Sequence, residues 1–487
     1  MKKSMAILLV TAGMTTLGLA AKSPASANKA KASKKQAAAT QAQNSTTGIT
    51  ANVAAAPDFG AAVAGAQDPT AAPLSVKIGS MEFTPGGFLD LTSVWRSTNV
   101  GSGIGTSFGN IPFSNTPAGH LSENRLSAQN SRVALKVSGH RGDTSVTGYL
   151  EADFLGVTPG NFNVSSNSNG MRMRLYWVDV QRGKWEVLGG QSWSMLTPGR
   201  KGISPNPSDI FYSQVMDTNY QVGLVWSRQA QLRVVYHPND HWTAGVSFEN
   251  PEQYAGAGAV LPSFASGSFD TGSSNATANL HPDIIAKVAY DTKVGGKAMH
   301  VEAAGVMRSF QFFDSATSMK NSATGGGISV NANLELFKNF HVIANTFYSD
   351  GGGRYIYGLG PDLVVRQNGT ISLVHSGSGI GGFEYQISPN WLLYGYYGGA
   401  YFQHNFDLSG TTPVGYGFPG APGSNNKSIQ EGTAGITHTF WKDNNYGALQ
   451  LITQYSYVVR NPWSVTPGSP KNAHTNMAFV DLRYVLP

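Results

Sequence analysis

From residue 79 onward the chain repeats one pattern: runs of about ten residues in which apolar and polar side chains alternate, each closed by Gly, Pro, Asn or Asp. Alternation of this period puts successive side chains on opposite faces of an extended strand. Within residues 131–140, Val133, Leu135 and Val137 share one face, and Arg132, Lys136 and His140 share the other. Residues 144–155 oppose Val146, Leu150 and Phe154 to Glu151 and Asp153. Residues 283–291 oppose Ile284, Ala286, Val288 and Tyr290 to Lys287 and Asp291. Each run therefore predicts a strand with one greasy and one wet face.

A soluble sandwich uses the same strands, so the connections have to decide. Short links fall at 141–143, 182–183, 238–240, 294–296, 338–339, 388–390 and 442–445. Long links alternate with them at 97–130, 156–170, 194–219, 250–282, 314–324, 350–376, 403–428 and 461–474. With residues 220–237 taken as one strand, the fifteen links join sixteen strands. An even strand number with tight links at one end and long links at the other is the layout of an all-β, transmembrane antiparallel barrel, with short periplasmic turns and long external loops. Lipid cannot satisfy an open sheet edge, so such a sheet must close. Trp95, Trp177, Trp185, Trp242, Trp391, Tyr394, Tyr396, Tyr397, Trp441, Tyr446 and Tyr484 fall near predicted strand ends, where interfacial aromatic girdles sit. No later apolar run reaches the roughly 18 residues that a membrane helix needs.

Composition agrees with this picture. Charged residues make up 13% of the 487, against about 25% in soluble domains. Cys is absent, which removes disulfides, thiolate catalysis and cysteine metal sites. The net charge of +6 suggests nucleic acid until it is located. Eight bases and three acids precede Phe83, leaving 26 basic against 25 acidic residues in the body, with no basic stripe for phosphates. Nucleic acid is therefore not an expected partner.

Residues 1–27 have the parts of an export signal: Lys2 and Lys3, an apolar run from Met5 to Ala21, and the small residues Ala25, Ser26 and Ala27. Residues 28–78 are rich in Ala, Lys, Gln, Ser and Thr and predict a flexible periplasmic segment, with a short helical or oligomerisation arm as the alternative. Residues 79–487 form the predicted barrel, which makes the cell outer membrane the expected location and its lipid the expected surroundings.

Sixteen strands enclose a lumen too wide for wall side chains alone to fill, so a water-filled channel is expected. Its candidate lining and solute contacts are Arg132, Lys136, Glu151, Asp153, Arg172, Arg174, Arg233 and Arg308, within a wider set that includes Asp90, Arg96, Lys287, Glu302, Asp481 and Arg483. A wall of Arg and Lys favours anions, carboxylates among them. The alternative is that these arginines pair with Glu151 and Asp153 and select little. The third long link carries Arg200, Lys201, Asp209 and Asp217 and is a candidate constriction, with a simple external cap as the alternative.

Catalytic signals are weak. Gly377 to Gly382 spells G-x-G-x-x-G, but the following residues alternate like a strand, whereas a dinucleotide loop opens a helix. His237 and His241 flank a tight turn, a simpler reading than a metal site. No nucleophile elbow occurs. The sequence thus assigns no catalytic residue, metal or cofactor and predicts a channel, the alternative being a structural or adhesive surface barrel.

Five stretches carry a resemblance: residues 131–133, 151–154, 171–176, 189–194 and 228–233, reading SRV, EADF, MRMRLY, GGQSWS and RQAQLR. In order and spacing they resemble the DcaP-type family of trimeric outer-membrane porins, over roughly residues 83–237. The resemblance implies a homotrimer that admits small anionic solutes, dicarboxylates among them, with Arg172 and Arg174 as contacts. Two features depart from the family: residues 28–75 show no coiled-coil heptads, and the chain ends Tyr484-Val485-Leu486-Pro487 without a terminal aromatic.

Overall fold

The computed structural model describes residues 75–156, 168–211, 220–272, 277–357 and 360–487. The predicted export signal and Asp217 lie outside the described residues, as does the predicted flexible segment up to residue 74. Its last part, Val76–Ile78, forms a hairpin with the start of the barrel, pairing Val76 with Phe83.

Sixteen long strands form the wall: β1 Met81–Arg96, β2 Arg132–Arg141, β3 Thr144–Gly156, β4 Gly170–Arg182, β5 Trp185–Trp193, β6 Arg228–Tyr236, β7 Trp242–Glu249 and β8 Asp283–Val294 complete the first half. The second half is β9 Lys297–Asp314, β10 Met319–Phe337, β11 Phe340–Asp350, β12 His375–Ser388, β13 Trp391–Phe402, β14 Asn426–Asp443, β15 Gly447–Pro462 and β16 Ala473–Val485. Each pairs antiparallel with the next, and β16 closes on β1 from Phe88↔Val485 to Arg96↔Met477. The lower part of β1 pairs with β2, and its upper part pairs with the separate segment Glu123–Ser127. The crossover between partners falls at Gly87, whose φ of +130° only glycine adopts freely and where a Cβ would collide with the Arg132 carbonyl.

The wall is inverted relative to a soluble protein. On β16, Val480 and Leu482 are 49% and 46% exposed, while Asp481 and Arg483, which alternate with them, are 0% and 2% exposed. The same alternation recurs at Leu89, Asp90 and Leu91 on β1. Apolar side chains thus face outward and charged ones inward, as lipid outside requires. The motif at Gly377–Gly382 lies inside β12, as its alternating sequel predicts.

Three expectations need correction. Residues 314–324 are not a long link: β9 and β10 run on through them and pair Asp314 with Met319. Asp314 caps the tight turn by accepting the Ala316 amide at 2.8 Å and the Thr317 hydroxyl at 2.9 Å. The long strand expected at 220–237 is only Arg228–Tyr236, because residues 220–227 leave the wall for the interior; the strand count is unaffected. Trp177, Tyr394 and Tyr396 are buried within the barrel rather than in a girdle, whereas Trp95, Trp185, Trp242, Trp391, Tyr397, Trp441 and Tyr446 are exposed.

The lumen is not simply open water. Met195, Leu196, Ile203, Phe211, Tyr220 and Trp226 of the link between β5 and β6 join Phe108, Ile111, Tyr355 and Tyr357 of two other links in one apolar cluster. It packs on the wall residues Ile343, Phe347 and Tyr394. Wall side chains alone cannot fill a barrel of this size; here the links occupy part of the interior.

Candidate functional site

Two inner surfaces carry the charge. On the first, β2, β3 and β4 bring Arg132, Glu151, Asp153, Arg172 and Arg174 together. Arg174 reaches Glu151 at 2.5 Å and Asp153 at 2.9 Å, Arg172 reaches Asp153 at 2.6 Å, and Arg132 lies 3.5 Å from Glu151. Tyr149 donates to Glu151 at 2.9 Å. A bulge in the pairing of β3 with β4 lets Arg174 and Leu175 both be buried. Three arginines thus share two carboxylates. Arg132 and Arg174 are enclosed, and Arg172 is the accessible member at 21% side-chain exposure. Next to this group, Phe88 is flanked by Arg132 and by Arg483, which pairs with Asp90 at 3.1 Å and Asp481 at 2.8 Å. Lys136, four positions from Arg132 on the same strand, is exposed and makes no ion pair among the described residues.

The second surface holds the β5–β6 link, residues 194–227. Side chains of four strands accept its backbone amides: Glu249 takes Met195 at 2.8 Å, Glu302 takes Gly199 at 2.9 Å, Asp291 takes Gly202 at 2.9 Å, and Glu431 takes Val222 at 2.8 Å. Lys287 and Asn331 donate to the carbonyls of Thr197 and Gly199 at 2.8 and 2.9 Å. Arg200 is held bidentately by Glu384, to which Tyr396 also donates. The approach is close: Gly223, at φ +91°, lies against the carbonyls of Gly379 and Gly399, and a Cβ at Gly398 would overlap the Val222 carbonyl. The glycines of β12 and β13 therefore form a shallow groove for a foreign backbone, which gives the G-x-G-x-x-G stretch a packing role.

The remaining predicted residues are dispersed. Lys201 is exposed, and Asp209 accepts the Arg200 amide through its backbone carbonyl at 2.6 Å. Arg233 is buried and donates to Gln231 and to the Trp193 carbonyl. Arg308 is enclosed: it binds Asp283 at 3.0 Å, Asp362 at 2.8 Å and the Glu252 carbonyl at 2.6 Å, tying two external links to β9. In those links burial pushes the Asp362 carboxyl above its ordinary range against the pull of Arg308 and Arg354, and burial raises the Tyr254 hydroxyl to about 12. His237 pairs with Glu186 at 3.1 Å beside its turn.

Sequence reasoning missed Arg228 and Glu384. Arg228 lies over the ring of Trp193, itself stacked on Trp226 at 4.1 Å, and its Nη1 is buried with no hydrogen-bond partner among the described residues. Alternation with Ala230 and the outward Leu232 gave no hint of that burial. Glu384 sat unremarked in the alternating run 383–387, and only its ion pair with Arg200 distinguishes it.

No family model and no curated protein matches this sequence. Among solved structures the fold is similar to the outer membrane channel DcaP of Acinetobacter baumannii, with a TM-score of 0.62 and 17% identity over 85% of this chain and 100% of that one. It is more remotely similar to OmpT of Vibrio cholerae, at TM-score 0.47 and 10% identity over 85% and 100% of the two chains. An anion-selective porin from Comamonas acidovorans follows at TM-score 0.46 and 11% identity over 83% and 100%. The likeness to DcaP is one of fold, and it agrees with the barrel that the sequence resemblance implies. A closed barrel with an apolar exterior and both ends of its wall, Met81 and Val485, on the short-turn side is an outer-membrane architecture, and the outer membrane is where this chain resides.

Proposed function

We propose that this barrel is a porin that lets small hydrophilic solutes diffuse across the outer membrane, with a preference for anions such as carboxylates. The observation that carries the reading is the inner cluster of β2–β4, where three arginines share two carboxylates and leave Arg172 accessible. A surplus cation on a wall that faces away from lipid lowers the barrier for negative solutes. The guanidinium also matches a carboxylate fork. In this reading Arg172 and Lys136 meet solute, while Glu151 and Asp153 hold Arg132 and Arg174 in place. Solute passes the accessible Arg172 on the β2–β4 wall, with the β5–β6 link as the constriction. A trimeric assembly follows from the family resemblance.

Purified protein in a planar bilayer under a salt gradient tests this. Stable current steps in multiples of three, with a reversal potential displaced toward the anion, support it; cation preference removes the anion reading. A second reading has one observation in its favour: the packed interior suits a surface barrel whose long links do the work. Absence of conductance from folded protein would select that reading.

A further inference from the structure

Below the tip of the β5–β6 link, toward the short-turn end, the barrel holds a cavity of about 540 Å³ that the reading above leaves unused. Arg200 and Lys201 of the link tip, His241 before β7, Lys293 at the end of β8, and His341 on β11 contribute to its lining, with Asp240 as an acidic neighbour. Its charges are unevenly neutralised. Asp291, also in the lining, is taken up by His300 at 2.9 Å and by the Gly202 amide at 2.9 Å. Arg200 is taken up by Glu384. Lys201 and Lys293 are exposed and form no ion pair among the described residues, so two free ammonium groups face one free carboxylate.

The histidines are held in place. His241 Nδ1 donates to the Asp291 carbonyl at 2.7 Å, and His341 Nδ1 lies 3.1 Å from the Asn333 amide oxygen. Each ring is thus oriented through its Nδ1. We propose that this chamber is a second solute site, on the periplasmic side of the constriction, and that it takes small phosphate dianions between Lys201 and Lys293 with His241 and His341 at its edge. Two separate ammonium groups suit a compact tetrahedral dianion, which accepts hydrogen bonds in several directions, better than one flat carboxylate, which a guanidinium fork fits. The proposal rests on the barrel being a solute conduit, and it adds a staging point at the exit.

The test is titration calorimetry on the detergent-solubilised full chain with inorganic phosphate, with glycerol phosphate as a second arm and chloride as the control. Saturable binding of phosphate is expected, weakened about ten-fold in Lys201→Gln with Lys293→Gln, since loss of charge-assisted hydrogen bonds costs on that scale. Glycerol phosphate binding like phosphate extends the site to monoesters; phosphate alone binding confines it to the free ion. Lys293→Arg, which keeps the charge, should retain binding and shows that loss in the glutamine variant is not misfolding. No heat beyond the chloride control, or equal affinity in wild type and the glutamine variant, overturns the proposal. Bilayer currents in potassium chloride separate the two readings: a conducting protein that ignores phosphate removes the chamber alone, and a silent protein that binds phosphate removes the conduit alone.

Discussion

The guanidinium of Arg200 meets both carboxylate oxygens of Glu384, at 2.8 and 2.9 Å, although 184 residues separate them. One belongs to a link that leaves the wall after β5, the other to β12. Their pairing fixes where the link crosses the interior. Glu384→Gln keeps an acceptor for Tyr396 but removes the charge partner of Arg200. The expected result is a larger, noisier single-channel current at unchanged barrel content, read by bilayer recording and circular dichroism; an unchanged current would separate the link from the constriction.

Backbone proximity offers an independent handle on the same link. Gly398→Val places atoms where the Val222 carbonyl sits, and the wall is less able to yield than the link. Loss of the interior position should raise conductance and expose residues 220–227 to an added protease, while the heat-resistant form on gels persists.

Selectivity should follow Arg172. Its replacement by Ala leaves Arg174 to balance Asp153 alone, which turns a cationic cluster neutral. The zero-current potential in a ten-to-one salt gradient should move toward the unselective value. Wild-type and variant potentials that coincide would assign solute contact elsewhere, with Lys136→Ala as the next variant.

Arg308 should matter for stability rather than selectivity. It is fully buried between Asp283 and Asp362, so Arg308→Ala takes from Asp362 its guanidinium partner and leaves Asp283 to Arg354 alone. Breaking a buried pair from one side costs about 3–5 kcal/mol. Urea unfolding in detergent should show a loss of that size, with the anion preference of the surviving folded fraction unchanged.

The outer face provides a control on the membrane reading. Leu482→Arg puts a guanidinium on the exposed side of β16, with an expected cost of roughly 2–4 kcal/mol if that position lies near the bilayer midplane. Refolding yield into lipid vesicles measures it; a neutral effect would mean that this face does not meet hydrocarbon.

The sequence by itself determined the wall. Alternation is a property of adjacent residues, so Val133 against Arg132, or Leu482 against Asp481, reveals two faces without any knowledge of what each face meets. The order of short and long links carried the strand count and the side on which the ends lie. Where local composition misled, hydrogen bonding was the reason: residues 319–324 look like a loop but pair with β9, and Tyr220 to Ser227 look like strand but bond across the interior.

What fills the cylinder was decided only by tertiary structure. The stacking of Arg228 on Trp193, the capture of four link amides by Glu249, Asp291, Glu302 and Glu431, and the glycine groove of β12 and β13 all join segments distant in the chain. No period along the sequence encodes which carboxylate will find which amide. That choice is made when the wall closes, because closure fixes the inward side chains on a ring around a space that the links must either enter or leave to water.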